Sequence, residues 1–197
     1  MKRVIEFWTI AALLSLLAPG ASALIAADKV DLKVGDPAPV FEAQDDAGNT
    51  WKSADHVGKK VVVVYFYPAD CTNGCTKQAI SFTNDLQALA DKGAEVVGIS
   101  GDSVENHSIF KKKEKLGLTL LADEKGEVAT KFGVPFDPKG GVSKTVVEGK
   151  AIQLKQGVRA KRWTFVIGKD GKILHKNTTV KPDADSQSIL KVLAAGK

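Results

Sequence analysis

The 197-residue sequence contains only two cysteines, Cys71 and Cys75. That scarcity excludes the disulfide framework that staples small secreted domains. A bridge between residues this close would close a very small loop and remove little unfolded-chain entropy. Reactivity or metal binding is a better reason for the pair than stability. The chain beyond its first two dozen residues also lacks internal repeats, low-complexity tracts and any Pro/Ser-rich linker, which excludes a solenoid or an array of modules. It has no long basic run either: the net charge is +5, and the densest cluster is Lys111-Lys112-Lys113. That cluster falls on an amphipathic helical segment beside Glu114 and reads as a solvated face rather than a nucleic-acid patch.

The only extended apolar stretch lies at the N-terminus. Lys2 and Arg3 precede an almost continuous apolar run from Phe7 to Ala18; Pro19-Gly20 break it, and Ala21-Ser22-Ala23 follow. A positive start, a short apolar centre and small residues at the cleavage positions make 1–23 a signal peptide, with a retained N-terminal anchor as the alternative. The expected location is therefore exported, periplasmic or otherwise extracytoplasmic. Removing 1–23, which carries Lys2, Arg3 and Glu6, takes the net charge from +5 to +4. Residues 28–197, roughly 170 in number, suit one domain with a proper core.

Within that domain, residues 28–59 carry turn signals, Gly35-Asp36-Pro37-Ala38-Pro39 and Asp46-Ala47-Gly48-Asn49. Lys60 to Tyr67 (KVVVVYFY) is an unbroken β-branched and aromatic run, as expected of a strand buried on both faces, and Pro68 ends it. Cys75 to Lys92 has helical periodicity in Ala79, Phe82, Leu86 and Leu89, with Gly93 as the stop. Glu95–Ser100 reads as a second strand, and Asp102-Ser103 as the cap of a helix reaching about Lys115. A third strand at Leu118–Leu121 and a short helix at Glu127–Phe132 follow. Residues 145–157 form a hairpin about Glu148-Gly149, and Trp163–Ile167 with Lys172–Lys176 form another across Lys169-Asp170-Gly171. A last helix covers about Ala184 to Ala194. This alternation predicts an α/β fold, a three-layer sandwich with a mixed central sheet. Trp51 and Trp163 are expected to be core or rim aromatics.

The informative stretch is Tyr67-Pro68-Ala69-Asp70-Cys71-Thr72-Asn73-Gly74-Cys75-Thr76. It joins the end of a central strand to the start of a helix, where open α/β sheets place their sites. Thr72 can act as N-cap, leaving Cys75 in the first turn among amides without acceptors. Those amides and the positive helix end favour the thiolate, which is the nucleophilic form. The polar, loop-like flanks argue against a buried inert cysteine.

Here the sequence resembles a known family. Pro68-x-x-x-Thr72-x-x-Cys75 matches the active-site signature of the peroxiredoxins, and YFYPADCTNGCTKQ is similar to their bacterioferritin-comigratory (PrxQ) subfamily. Ser100-Gly101-Asp102-Ser103 with His107 and Phe110, Arg162-Trp163-Thr164-Phe165-Val166-Ile167, and Asp36-Pro37-Ala38-Pro39 extend the resemblance over residues 30–195. The resemblance implies a thioredoxin-like fold and a thiol-dependent peroxidase. Its substrates would be hydrogen peroxide and organic hydroperoxides, reduced through a cysteine sulfenic acid. It implies Cys75 as peroxidatic cysteine, Thr72 and Arg162 as hydrogen-bond donors to the peroxide, and Pro68 as a shield. It implies a thiol reductant such as a thioredoxin-like protein, no cofactor, no metal and no nucleic acid, in a monomer or weak homodimer.

Two positions depart from the family pattern. Asn73 stands where proline is usual, and Ile80 stands where the subfamily often has its resolving cysteine. Resolution of the sulfenic acid then falls to Cys71, to Cys75 of another subunit, or to an external thiol. Cys71 itself reads as resolving thiol, as bystander or as metal ligand. The CxxxC pair also resembles the Sco-type copper-delivery proteins. However, Thr72 and Thr76 replace their usual prolines, Ala160 stands near the place of their ligand histidine, and His56, His107 and His175 read as surface or packing residues. A thiol–disulfide oxidoreductase would want the tighter CxxC spacing.

Overall fold

A computed structural model describes residues 30–196. The proposed leader, 1–23, lies outside the described residues. The opening segment forms two short strands, β1 (Glu42–Asp45) and β2 (Thr50–Lys52), and the single turn α1 (Ser53–His56). The alternation then runs β3 (Val61–Phe66), α2 (Asn73–Asp91), β4 (Ala94–Ser100), α3 (Val104–Glu114), β5 (Thr119–Ala122) and α4 (Glu127–Lys131). Then come β6 (Phe136–Asp137), the hairpin β7 (Gly141–Val147) and β8 (Lys150–Gln156), and β9 (Arg159–Ala160). The chain closes with β10 (Trp163–Ile167), β11 (Ile173–Asn177), a 3-10 turn at Pro182–Ala184 and α5 (Asp185–Ala195).

Seven strands form one mixed sheet in the order β11-β10-β3-β4-β5-β1-β2. The three central strands, β3, β4 and β5, are parallel, and the outer pairs are antiparallel. The β-branched run of β3 alternates its side chains between two cores. Val62, Val64 and Phe66 pack with Phe132 and Phe165 under α4. Val63, Tyr65 and Tyr67 pack with Phe82 of α2, Phe110 of α3 and Ile189 of α5. Each large apolar side chain so buried contributes on the order of 1.5–3 kcal/mol. The expected three-layer sandwich with a mixed sheet is thus the observed fold.

Local signals set the ends of the elements. Ser103 Oγ accepts from Asn106 N at 3.3 Å and caps α3. The left-handed Glu148 and Gly149 (φ 49° and 78°) supply the two-residue turn between β7 and β8. That hairpin stands outside the main sheet as its own two-stranded ribbon. It is tied back where Gly157 N donates to Gly101 O at 2.8 Å. Trp51 is buried and stacks on His56 with ring centroids 4.4 Å apart, and Trp163 carries Lys176 Nζ 4.7 Å from its ring, as structural aromatics.

Candidate active site

The loop from Pro68 to Thr72 leaves the C-terminal end of β3 and enters α2, so it lies over the middle of the parallel strands. Cys75 is the third residue of α2 and only 1% exposed. The first-turn amides have no acceptor in the preceding turn, which gives this helix end its positive character. From β10's entrance, half-buried Arg162 donates through Nη2 to Cys75 Sγ at 3.1 Å. Its Nη1 donates to Gln78 Oε1. Gln78 is one helical turn beyond Cys75 and fully buried. Its Nε2 in turn donates to Asp185 Oδ2 at 2.7 Å, where Thr164 Oγ1 also donates at 2.7 Å.

Thr72 occupies the N-cap position with extended backbone (φ −92°, ψ 148°), as expected, but its side chain makes no capping bond. Its hydroxyl instead donates to Ala69 O at 3.0 Å, across the loop. The hydroxyl proton is thus engaged, and the oxygen presents lone pairs. Pro68 is half-buried, two residues past the end of β3.

Cys71 is half-buried with φ 56°, a left-handed conformation that costs a non-glycine residue roughly 1–2 kcal/mol. Its thiol is pushed up to about 11, first by burial and then by the Asp70 carboxylate, against the smaller pull of the Thr145 hydroxyl and Lys113. Both cysteines are free.

Beneath the loop is a buried charged network. Asp70 accepts from Tyr67 Oη at 2.7 Å and lies 2.8 Å from His107 Nδ1, while its own amide donates to Asp102 Oδ2 at 2.9 Å. Asp102 also accepts from Ser100 Oγ (2.8 Å), Asn106 Nδ2 (3.0 Å) and Gln156 Nε2 (2.9 Å), so β4, α3 and β8 all hold the residue before Cys71. Burial and Asp70 together raise the pKa of Asp102.

The sequence reading groups Cys75, Arg162 and Thr72; Arg162 meets Cys75, while the Thr72 hydroxyl is engaged with Ala69 O. That reading missed Gln78 and Asp185, and it treated His107 as a surface or packing residue. Gln78 was findable, since a polar residue three positions after Cys75 shares its helix face. Nothing local marks Asp185, 110 residues downstream of Cys75.

A buried cysteine in a helix's first turn, touched by an arginine at the carboxyl end of the central parallel strand β3, is the arrangement expected of a thiol enzyme of the thioredoxin-like class. The AhpC/TSA family matches residues 34–176. Peroxiredoxin Q of Sedum lineare chloroplasts is 40% identical over 164 residues, covering 83% of this chain and 78% of the relative. Among solved structures, peroxidoxin BcpB from Mycobacterium tuberculosis superposes with a TM-score of 0.70 at 33% identity, over 85% of this chain and 99% of that one. The bacterioferritin comigratory protein of Xanthomonas campestris, studied for alkyl peroxide reduction, gives 0.64 at 26% identity, over 79% and 91% of the two chains. The chain belongs to the AhpC/TSA family of peroxiredoxins and is a thiol-dependent peroxidase. The copper-delivery alternative finds no support among these relatives. No group of three or more His, Cys, Asp or Glu among the described residues is placed to hold a metal ion.

Proposed function

We propose that Cys75 is the peroxidatic residue, reducing hydrogen peroxide and small organic hydroperoxides. Its thiolate attacks one peroxide oxygen, the O–O bond breaks, and the product is Cys75 sulfenic acid with water or an alcohol. Negative charge develops on the departing oxygen, and Arg162 is the cation at hand to donate to it. Thr72 acts differently from the donor role its family resemblance implies. With its proton given to Ala69 O, its oxygen accepts from the peroxide O–H and orients the substrate. Pro68 shields the sulfur and stiffens the loop. The observation that carries this reading is the 3.1 Å contact from Arg162 Nη2 to Cys75 Sγ.

Cys71 then resolves the sulfenic acid: its thiol attacks the Cys75 sulfur, a disulfide forms and water leaves. Cys71 lies in the loop just before the N-cap Thr72 and Cys75 is the third residue of α2, so this step has the first turn of α2 unwind to bring the two sulfurs into bonding geometry. Burial favours the protonated form of Cys71 in the folded loop, which keeps peroxide chemistry on Cys75. Unwinding lifts that burial, relieves the left-handed backbone and frees the second thiol to react. A thioredoxin-like protein reduces the bridge. Export of the mature domain rests on the leader pattern of 1–23, and no helix of the described residues is long and apolar enough to cross a membrane.

Peroxide consumption with dithiothreitol by the wild type and Cys75→Ser tests the assignment. Turnover should vanish in the variant, and undiminished turnover would refute it. The non-reducing mass after one equivalent of peroxide should be lower by two hydrogens, from an intramolecular bridge; a persistent sulfenic acid would remove Cys71 from the cycle.

A further inference from the structure

Asp185 is a carboxylate buried to 1% exposure at the start of α5, far along the chain from Cys75. Burial raises its pKa, with Thr164, Gln78 and Arg162 pulling the other way. One oxygen accepts from both Gln78 Nε2 and Thr164 Oγ1, each at 2.7 Å, and the other has no partner among the described residues. These contacts determine the orientation of the Gln78 amide. A glutamine side chain carries a donor end and an acceptor end of nearly equal size, so sterics alone do not fix which end points where. An ionised carboxylate accepts only, and so it takes the NH2 end. The carbonyl end is left facing Arg162, whose guanidinium donates only. With Nη1 engaged by Gln78, Nη2 is directed at the Cys75 sulfur.

We infer that Asp185 is a positioning residue for peroxide reduction: as a hydrogen-bond acceptor it sets the orientation of the Gln78 amide, which aims Arg162 at Cys75. The relay joins α5, β10 and α2, so the C-terminal helix contributes to the site without touching the substrate. Without the acceptor, the buried Gln78 amide can turn its NH2 toward the guanidinium, where donor meets donor and Arg162 is displaced. This inference rests on the roles proposed above for Cys75 and Arg162.

Two reactions of Cys75 separate aim from stability. Peroxide attack needs a donor at the departing oxygen, whereas alkylation by iodoacetamide expels iodide and has no such oxygen. Arg162→Met sets the scale, since losing one such donor costs about 10²–10³-fold in rate. Asp185→Ala should lower the second-order rate constant for hydrogen peroxide by at least about tenfold, toward that scale. Its iodoacetamide rate, taken on the high-pH plateau where Cys75 is fully thiolate, should stay within about threefold of wild type, well short of a lost donor. Asp185→Asn keeps an acceptor oxygen for Gln78 but adds a donor end, so its peroxide rate should fall between those of wild type and Asp185→Ala. Should Asp185→Ala fold poorly, Gln78→Met removes the bridge from the other side and should show the same selective loss.

Equal losses in both reactions would reduce Asp185 to a structural role and overturn the inference. So would an Asp185→Asn variant as slow as Asp185→Ala, or a Gln78→Met variant with wild-type peroxide kinetics. If Cys75→Ser still consumes peroxide, the site assignment itself falls. If Cys75→Ser is inert and Asp185→Ala is unimpaired, only the relay does.

Discussion

The most severe single perturbation predicted away from Cys75 is His107→Leu. His107 and Asp70 are both 0% exposed and lie 2.8 Å apart, so the change strands a carboxylate where water cannot reach it. Removing one partner of such a pair costs about 3–5 kcal/mol, against about 0–1 kcal/mol for a surface pair. Asp70 keeps the Tyr67 hydroxyl, which places the expected loss nearer the lower figure. Even so, about 3 kcal/mol is a large share of the 5–15 kcal/mol that holds a typical domain folded. Urea denaturation should show the midpoint falling while the m-value stays constant. Adding Asp70→Asn should recover part of the loss by removing the stranded charge.

The pH dependence supplies a second check. Burial alone would pull the His107 pKa down, but the facing groups outweigh it: Asp70 on the loop, Asp102 at the end of β4 and the Leu121 carbonyl of β5. The folded-state value therefore lies above the ordinary 6.5. A raised histidine stabilises fully below its unfolded pKa and loses that contribution as pH rises through the folded value. The gap between wild type and His107→Leu should be flat below 6.5 and narrow above it. A loss under about 1 kcal/mol, the range of a surface pair, would refute the reasoning.

Other consequences follow from the same geometry. In Cys75→Ser, alkylation of Cys71 should accelerate with a midpoint near pH 11 in the folded protein and fall back toward the ordinary 9.0 in urea. A folded-state midpoint at or below 9.0 would contradict the burial of that thiol. In Gly98→Ala, the new methyl would sit 2.6 Å from the Tyr65 ring. That ring is wedged against Phe82 (4.9 Å between centroids) and Tyr67 (5.4 Å), so it cannot yield. Overpacking of this kind costs about 1–3 kcal/mol, and a melting curve should show a drop of about 3–10 °C. An unchanged melting temperature would mean that the strand gives way freely.

The sequence showed most clearly those elements whose stability is local. KVVVVYFY became β3, the Ala79–Phe82–Leu89 stripe became the buried face of α2, and both hairpins turned where a glycine permits positive φ. The strands β1 and β2 went unread because EAQD and TWK are short and mostly polar; pairing with β5 and with each other makes them strands, a tertiary cause that composition does not carry. The candidate site divides the same way. Cys75, Thr72 and Arg162 are candidates that the motifs offer. Asp70, Asp102, His107 and Asp185 carry no such signal, because their roles depend on partners tens of residues away; Gln78 has one only in sharing the helix face of Cys75. A buried polar network looks like ordinary loop and helix polarity until the fold closes it. Thr72 shows the finer limit: its cap position was readable, but the destination of its hydroxyl proton was not.

The central claim is that Cys75 carries the oxidised sulfur. The direct test is to treat Cys71→Ser with one equivalent of hydrogen peroxide, trap with dimedone and locate the adduct by peptide mass spectrometry. A single adduct on Cys75 is predicted. No adduct on Cys75, or one on Cys71 when Cys75→Ser is treated in the same way, would contradict it.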